Sequence, residues 1–305
     1  MASKKPLLIC IVGPTAIGKT SLSIKLANAF NTEIISADSR QFYKEMVIGT
    51  AVPSSKELNA APHHFIQNKS IFENYSVGDF ERDAMEVLNT LFKNHPIVIM
   101  VGGSGLYIDT IVKGLDEFPE VSEEIRALLK SQFEEKGMEF LQEELRKVDL
   151  SYFNEVDIYN TQRVMRALEV YRSSGKPFSD FRKNKQPNRA FNTLYIGLTA
   201  EREIIYSRIN KRVDRMVEAG LVDEAKNLFP HKNLNALNTV GYKELFNYFE
   251  GNYTLEEAIL EIKKNTRRFS KRQMTWFKKN KDITWFDYQT NPSEIIDFIK
   301  KALSQ

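Results

Sequence analysis

Two hydrophobic patterns alternate along the first third of the chain. Leu7–Val12 and Ile97–Val101 are continuous apolar runs of strand length, the signature of strands buried on both faces. A shorter run, Glu33–Ala37, ends at Asp38 and reads as another strand. Between them, 21–27 and 80–92 place apolar residues at helical spacing, the second opening at Ser76 or Asp79 as its cap. Strand and helix in alternation predict an α/β fold built on a parallel sheet. After residue 115 the strands stop. Residues 121–132 and 138–148 carry helical periodicity, and Thr193–Leu198 then returns as an apolar strand. The expected organisation is a core of 1–115 and 191–305 with basic C-terminal helices, and a helical insertion over 116–190.

Composition narrows the class. Of 305 residues, 42 % are hydrophobic and 27 % charged, which fits a globular protein with a core. The single cysteine, Cys10, removes any internal disulfide or multi-thiolate zinc site and suits a reducing, cytoplasmic setting. No apolar run reaches the roughly 20 residues of a membrane span. The net charge of +3 conceals segregation. Residues 116–149 are rich in acid. Arg163, Arg166, Arg172, Lys176, Arg182, Lys183, Lys185 and Arg189 then reverse the sign. From Lys263 to Lys281 there are nine basic residues and no acid, with Phe269, Trp276 and Phe277 interleaved. Lys264, Arg268 and Arg272 share one helical face, and with Lys271 they predict contact with a polyanion. The acidic stretch is expected to face away from it.

The chemistry begins at Gly13-Pro14-Thr15-Ala16-Ile17-Gly18-Lys19-Thr20, a G-x-x-x-x-G-K-[ST] loop between strand and helix. Such a loop turns backbone amides toward a phosphate, Lys19 adds a point charge, and the Thr20 hydroxyl suits magnesium. Nucleotide-hydrolysing relatives of this loop carry a second acid at the end of a later strand. Here Ile97–Val101 ends in Gly102-Gly103-Ser104-Gly105, which fits a tight strand-to-helix turn. Asp38 stands where the second strand meets the same rim. It is a base or magnesium partner, or a helix cap. Arg208, Arg212 and Arg215 share a helical face that either closes on phosphate or meets solvent. His63 and His64, adjacent in an extended segment, point to opposite faces and cannot share one metal ion.

In order along the chain, the loop, Ser36–Tyr43, Ile48–Ala51, Pro62–His64, Val101–Tyr107, Arg166–Val170, Val240–Glu244 and Lys271–Phe277 resemble the bacterial tRNA dimethylallyltransferases. The resemblance implies a phosphate-loop core with a tRNA-contacting helical insertion. It implies transfer of a dimethylallyl group from dimethylallyl diphosphate to N6 of the adenine beside the anticodon, with diphosphate leaving. The loop would then hold the prenyl diphosphate, with Mg2+ as cofactor on Thr20. Asp38 resembles the general base, and Arg208 or Arg212 the diphosphate arginine. Contacts to the tRNA anticodon stem-loop carry over to Asp38, Ser39, Arg40, Gln41, Ser104, Arg126, Gln162, Arg163, Val164, Met165, Arg166, Asn238, Thr239, Val240, Gly241, Tyr242 and Lys243. A monomer free of membrane is expected. An adenylate isopentenyltransferase acting on free AMP or ATP and a phosphate-loop small-molecule kinase are the rival readings.

Overall fold

A computed structural model describes residues 5–183 and 188–304, so Lys185 lies outside the described residues. The first half contains β1 (Leu7–Val12), α1 (Lys19–Phe30), β2 (Ile34–Ser36), α2 (Ser55–Ala60), β3 (His63–His64), α3 (Val77–Leu91), β4 (Ile97–Val101) and α4 (Gly105–Lys113). Four helices follow: α5 (Glu123–Val148), α6 (Leu150–Glu155), α7 (Thr161–Ser174) and α8 (Phe178–Phe181). The chain then forms β5 (Asn192–Thr199), α9 (Arg202–Glu218), α10 (Leu221–Leu228), α11 (Tyr242–Phe249), α12 (Leu255–Phe277), β6 (Ile283–Asp287) and α13 (Pro292–Ser304).

Among the described residues the strands form one sheet in the order β3-β2-β4-β1-β5-β6, with every pairing parallel. Strand alternation sends Leu8, Cys10 and Val12 to one face, where Phe80, Leu88 and Ile111 of α3 and α4 cover them. Ile9 and Ile11 face the other side, against α1, α9 and α13. Both faces are therefore dry, which is why β1 and β4 carry no alternating polar residues. Parallel strands put all their carboxyl ends on one rim, and β1 and β2 deliver the phosphate loop and Asp38 there. A third cluster, built around Tyr242, Leu245 and Ile262, joins α10–α12 to Tyr43 and Met46. The cap of α3 is Ser76, whose side chain accepts the Asp79 amide while Asp79 reaches back in a capping box. β6 and α13 had no counterpart among the sequence expectations.

The chain divides into two compact units, Met1–Val112 with Asn188–Gln305, and Lys113–Pro187. The second seam falls before Asn188 because that residue and Arg189 are tied to the first unit. Lys5 bonds Asn188, and Arg189 pairs with Glu81 and donates to the Thr110 carbonyl. The second unit is helical, with Leu129, Leu141, Leu145, Val164 and Leu168 at its centre. Its longest helix, α5, joins the two expected helices and is interrupted only at Gly137, whose φ of 77° a residue with a side chain rarely adopts. The charge segregation of the sequence is partly undone inside this unit. Arg172 forks onto Glu144 at 2.8 and 2.5 Å, and Arg182 meets Glu155 at 2.6 Å.

Candidate active site

The phosphate loop starts where β1 runs beside β5. A Cβ on Gly13 would lie 2.5 Å from the Leu198 carbonyl oxygen, so only glycine fits there. The loop ends at Gly18, in the left-handed region at φ 114°, from which α1 begins. Lys19 folds back over the loop, donating to the carbonyls of Gly13 at 3.0 Å and Pro14 at 2.8 Å. Burial lowers its pKa to about 8, Asp38 pulls it up, and Arg212 pushes it further down. Above the loop lies a cavity of about 680 Å3. Thr20 lines it, and from α9 so do Arg208, Lys211, Arg212 and Arg215. The arginine face of α9 therefore looks into the site.

Asp38 follows the end of β2, and a turn rather than a helix comes after it. One carboxylate oxygen, Oδ1, accepts the Arg40 amide at 3.2 Å in a turn of the Asx type. Oδ2 takes no hydrogen bond among the described residues. This decides against the helix-cap reading. Asp38 also lines a second cavity of about 580 Å3, walled on its apolar side by Ile209, Val213, Met216, Leu221 and Ile262. Thr15, Asp38, Thr50 and Arg212 are common to both linings. A carboxylate and a guanidinium thus stand where the two chambers meet.

The two candidate arginines differ. Arg208 Nε donates to the Ala16 carbonyl at 2.7 Å, and its guanidinium sits 5.1 Å from the Tyr288 ring centroid, at the edge of the cavity. Arg212 reaches both chambers, and burial holds its guanidinium below the ordinary range against the pull of Asp38.

Several residues expected to touch RNA are also engaged within the protein. Arg40 donates to the Ala236 carbonyl at 2.9 Å and reaches toward those of Asn235 and Asn238, fixing the turn before α11. The buried Gln41 donates to the carbonyls of Thr50 and Ala51. Tyr242 is fully buried and its hydroxyl donates to Glu224 at 2.7 Å, so its side chain has no surface to offer RNA. Val164 is likewise fully buried, among the leucines of the second unit. Ser39 and Ser104 meet each other, the Ser39 amide donating to Ser104 Oγ at 3.3 Å. Ser104, Asn238, Thr239, Val240, Gly241 and Lys243 line the second cavity. Arg126, Gln162, Arg163, Met165 and Arg166 lie in the second unit, where Arg166 pairs with Glu169 at 3.2 Å and its guanidinium lies over Phe118. On α12, Arg268, Lys271 and Arg272 are exposed, while Lys264 is paired with Glu261.

Sequence reasoning missed two residues. Gln273 accepts the Thr15 amide at 2.8 Å and donates to the Gly103 carbonyl at 3.0 Å, tying α12 to the phosphate loop and to the turn after β4. That turn is glycine-rich for reasons of space. A Cβ on Gly103 would sit 2.2 Å from the Gln273 side chain, and one on Gly105 2.3 Å from the Trp276 indole. Glu224 accepts three consecutive amides, Val47, Ile48 and Gly49, at 2.7–3.0 Å, and so anchors the segment leading to Thr50. Position within the quoted motifs was the available signal for Gln273. Glu224 lay in none of them.

Among the described residues no cluster of three or more acidic, histidine or cysteine side chains is arranged to hold a metal. His63 bonds the Ala61 carbonyl and His64 bonds Glu33. The donor set at the loop, one hydroxyl of Thr20 in an open polar cavity, fits magnesium, which keeps several waters and binds substrate phosphates beside few protein ligands.

A phosphate loop that opens through one carboxylate onto a second, partly apolar chamber defines a group-transfer enzyme rather than a nucleotide-driven switch. Comparison with known proteins gives the family. Residues 41–280 match the family model described as IPP transferase, and the chain belongs to that family of prenyltransferases. It is 58 % identical over 302 residues to a tRNA dimethylallyltransferase of Flavobacterium johnsoniae, covering 97 % of this chain and 98 % of that one. It is 45 % identical to tRNA dimethylallyltransferase 1 of Bacteroides thetaiotaomicron, with 97 % and 96 % covered. Among solved structures it is similar to the full-length tRNA isopentenylpyrophosphate transferase of Bacillus halodurans, at 38 % identity and a TM-score of 0.74, covering 98 % of this chain and 97 % of that one. A eukaryotic dimethylallyltransferase described as acting on tRNA superposes with a TM-score of 0.82 at 28 % identity, over 98 % of this chain and 80 % of that one. Among the described residues no helix is long and apolar enough to cross a membrane.

Proposed function

We propose that the protein transfers the dimethylallyl group of dimethylallyl diphosphate to the exocyclic N6 of the adenine beside the anticodon of tRNA. The observation that carries this reading is the placement of Asp38 and Arg212 in the linings of both cavities. In the first chamber Lys19, Arg212 and the loop amides hold the diphosphate, with Arg208 at its edge. The extruded adenine enters the second chamber, since N6 is out of reach while the base is stacked. The N6 lone pair forms the bond to C1 of the dimethylallyl group. The C1–O bond breaks and its electron pair leaves with the diphosphate. The N6 proton passes to Oδ2 of Asp38, while Oδ1 stays anchored by the Arg40 amide. Arg212 faces the charge that develops on the leaving oxygen. Magnesium, held through Thr20 when bound, would neutralise charge on the diphosphate. On this reading the exposed cations of α12 and the helical insertion contact the tRNA, and the enzyme works as a cytoplasmic monomer.

The names of the similar proteins support the tRNA reading. The test is mass spectrometry after incubation of an unmodified anticodon stem-loop, or free AMP, with dimethylallyl diphosphate and magnesium. A C5H8 adduct on the stem-loop adenine is expected. Faster reaction on AMP would favour the adenylate enzyme, and phosphate transfer from ATP the kinase.

A further inference from the structure

Trp276 has no part in the chemistry above, yet its placement is unusually well defined. It lies one helical turn beyond Arg272 on α12, at the second cavity. Its indole Nε1 donates to Asp109 Oδ2 of α4 at 2.8 Å. Its Cδ1 edge sits over Gly105, so close that a methyl group there would overlap the ring. A side chain fixed this tightly still leaves 40 % of its surface exposed. Phe269, seven residues earlier on the same helical face, is 38 % exposed, and Leu106 of α4 is 47 % exposed. All three line the second cavity. Exposed apolar area gathered at one rim, with polar side chains positioning it, marks a surface meant to be covered.

The charge along the same segment selects the covering group. Arg268, Lys271, Arg272, Lys278 and Lys279 are all exposed, and the segment 263–281 holds no acid. The Arg272 guanidinium lies 5.7 Å from the Phe269 ring centroid and also lines the cavity. A flat aromatic ring on a helix with a series of exposed cations is complementary to single-stranded nucleic acid, where bases stack while the backbone follows the charges. A purely apolar partner would leave those cations unpaired.

We propose that Trp276 is a stacking platform for a nucleobase of the acceptor RNA neighbouring the modified adenine, with Arg272 on the adjoining phosphate. The platform would hold the loop open beside the chamber that receives the adenine. The inference rests on the tRNA reading above. Its test is binding rather than turnover, so the two fail separately: absence of C5 transfer by the unaltered protein overturns the function, whereas the outcomes below judge the platform.

The protein has two tryptophans. The second, Trp285, packs against Gly197 in the sheet, so Trp285→Phe leaves Trp276 as sole reporter. Adding an unmodified anticodon stem-loop should quench its fluorescence, and heparin, a polyanion without bases, should not. Trp276→Ala should weaken stem-loop binding roughly 10- to 100-fold, while Trp276→Phe stays within about threefold. The KM for dimethylallyl diphosphate should be unchanged in Trp276→Phe. Equal quenching by heparin, no quenching by the stem-loop, or unaltered affinity in Trp276→Ala overturns the platform. If Trp276→Ala fails to fold by circular dichroism, the quenching experiment decides alone.

Discussion

Gln273 and Thr15, separated by 258 positions in sequence, share a hydrogen bond of 2.8 Å in which the Thr15 backbone amide donates to Gln273 Oε1. Because Gln273 also donates to Gly103, one buried side chain joins the basic helix, the phosphate loop and the turn after β4. Removing it leaves the buried Gly103 carbonyl without its donor and frees the half-buried Thr15 amide, at a cost of about 1–3 kcal/mol. Gln273→Ala should therefore lower the melting temperature and reduce kcat/KM for dimethylallyl diphosphate by about 10- to 100-fold. Thermal unfolding and steady-state kinetics check both, and unchanged kinetics would confine Gln273 to stability.

Asp38→Asn keeps an oxygen for the Arg40 amide and removes the base. Binding of the anticodon stem-loop should stay within a few-fold, and kcat should fall by about 10²–10⁴. Single-turnover rates with saturating donor measure the chemical step directly. Full activity in this variant would remove Asp38 from proton transfer.

Arg212 and Arg208 should separate kinetically. Arg212→Ala removes the cation placed at both chambers and should reduce kcat strongly. Arg208→Ala loosens the loop at Ala16 and should act mainly on the KM for the diphosphate. Comparing kcat and KM in the two variants decides the assignment that the sequence left open. An equal loss of kcat in both would make them a shared clamp.

Lys19 sets a pH dependence. Its pKa is depressed to about 8, so its charge is present below that value and lost as pH rises through it. Affinity of the ligand-free enzyme for dimethylallyl diphosphate should therefore weaken above about pH 8. The unfolded chain keeps its lysine protonated to about pH 10.4, so it binds more protons between those values. Stability of the ligand-free protein gains a component from Lys19 that rises with pH across that window. Calorimetric titration from pH 7 to 9.5 should show the loss of affinity, and Lys19→Met should flatten it. A flat profile for the unaltered protein would place the lysine titration elsewhere.

Much of this site could be read before folding, and the part that could not has a physical explanation. β1 and β4 were legible because burial on both faces leaves unbroken apolar runs. The loop was legible because phosphate binding demands particular residues at fixed spacing. β6 was hidden because its Ile283-Thr284-Trp285-Phe286-Asp287 run is short and carries polar residues at an edge strand. The family motifs marked a region without showing which of its side chains the fold itself engages. Arg40, Gln41 and Tyr242 share motifs with Asp38 and Lys243, yet their side chains serve carbonyls or a carboxylate of the protein itself. Glu224 gave no signal, since a carboxylate that accepts backbone amides needs no sequence pattern of its own.

The missing side chains of Gly103 and Gly105 impose a mechanical constraint on what this enzyme can become. Only hydrogen separates the turn after β4 from Gln273 and Trp276, so α12 rests on that turn with no slack. A single added methyl at residue 103 would displace the amide that steadies Thr15, and one at residue 105 would tilt the indole at the wall of the second cavity. The phosphate loop and the turn after β4 are thus tied through one helix. On the roles proposed for Gln273 and Trp276, a displacement of α12 would be felt both at the phosphate loop and at the acceptor chamber.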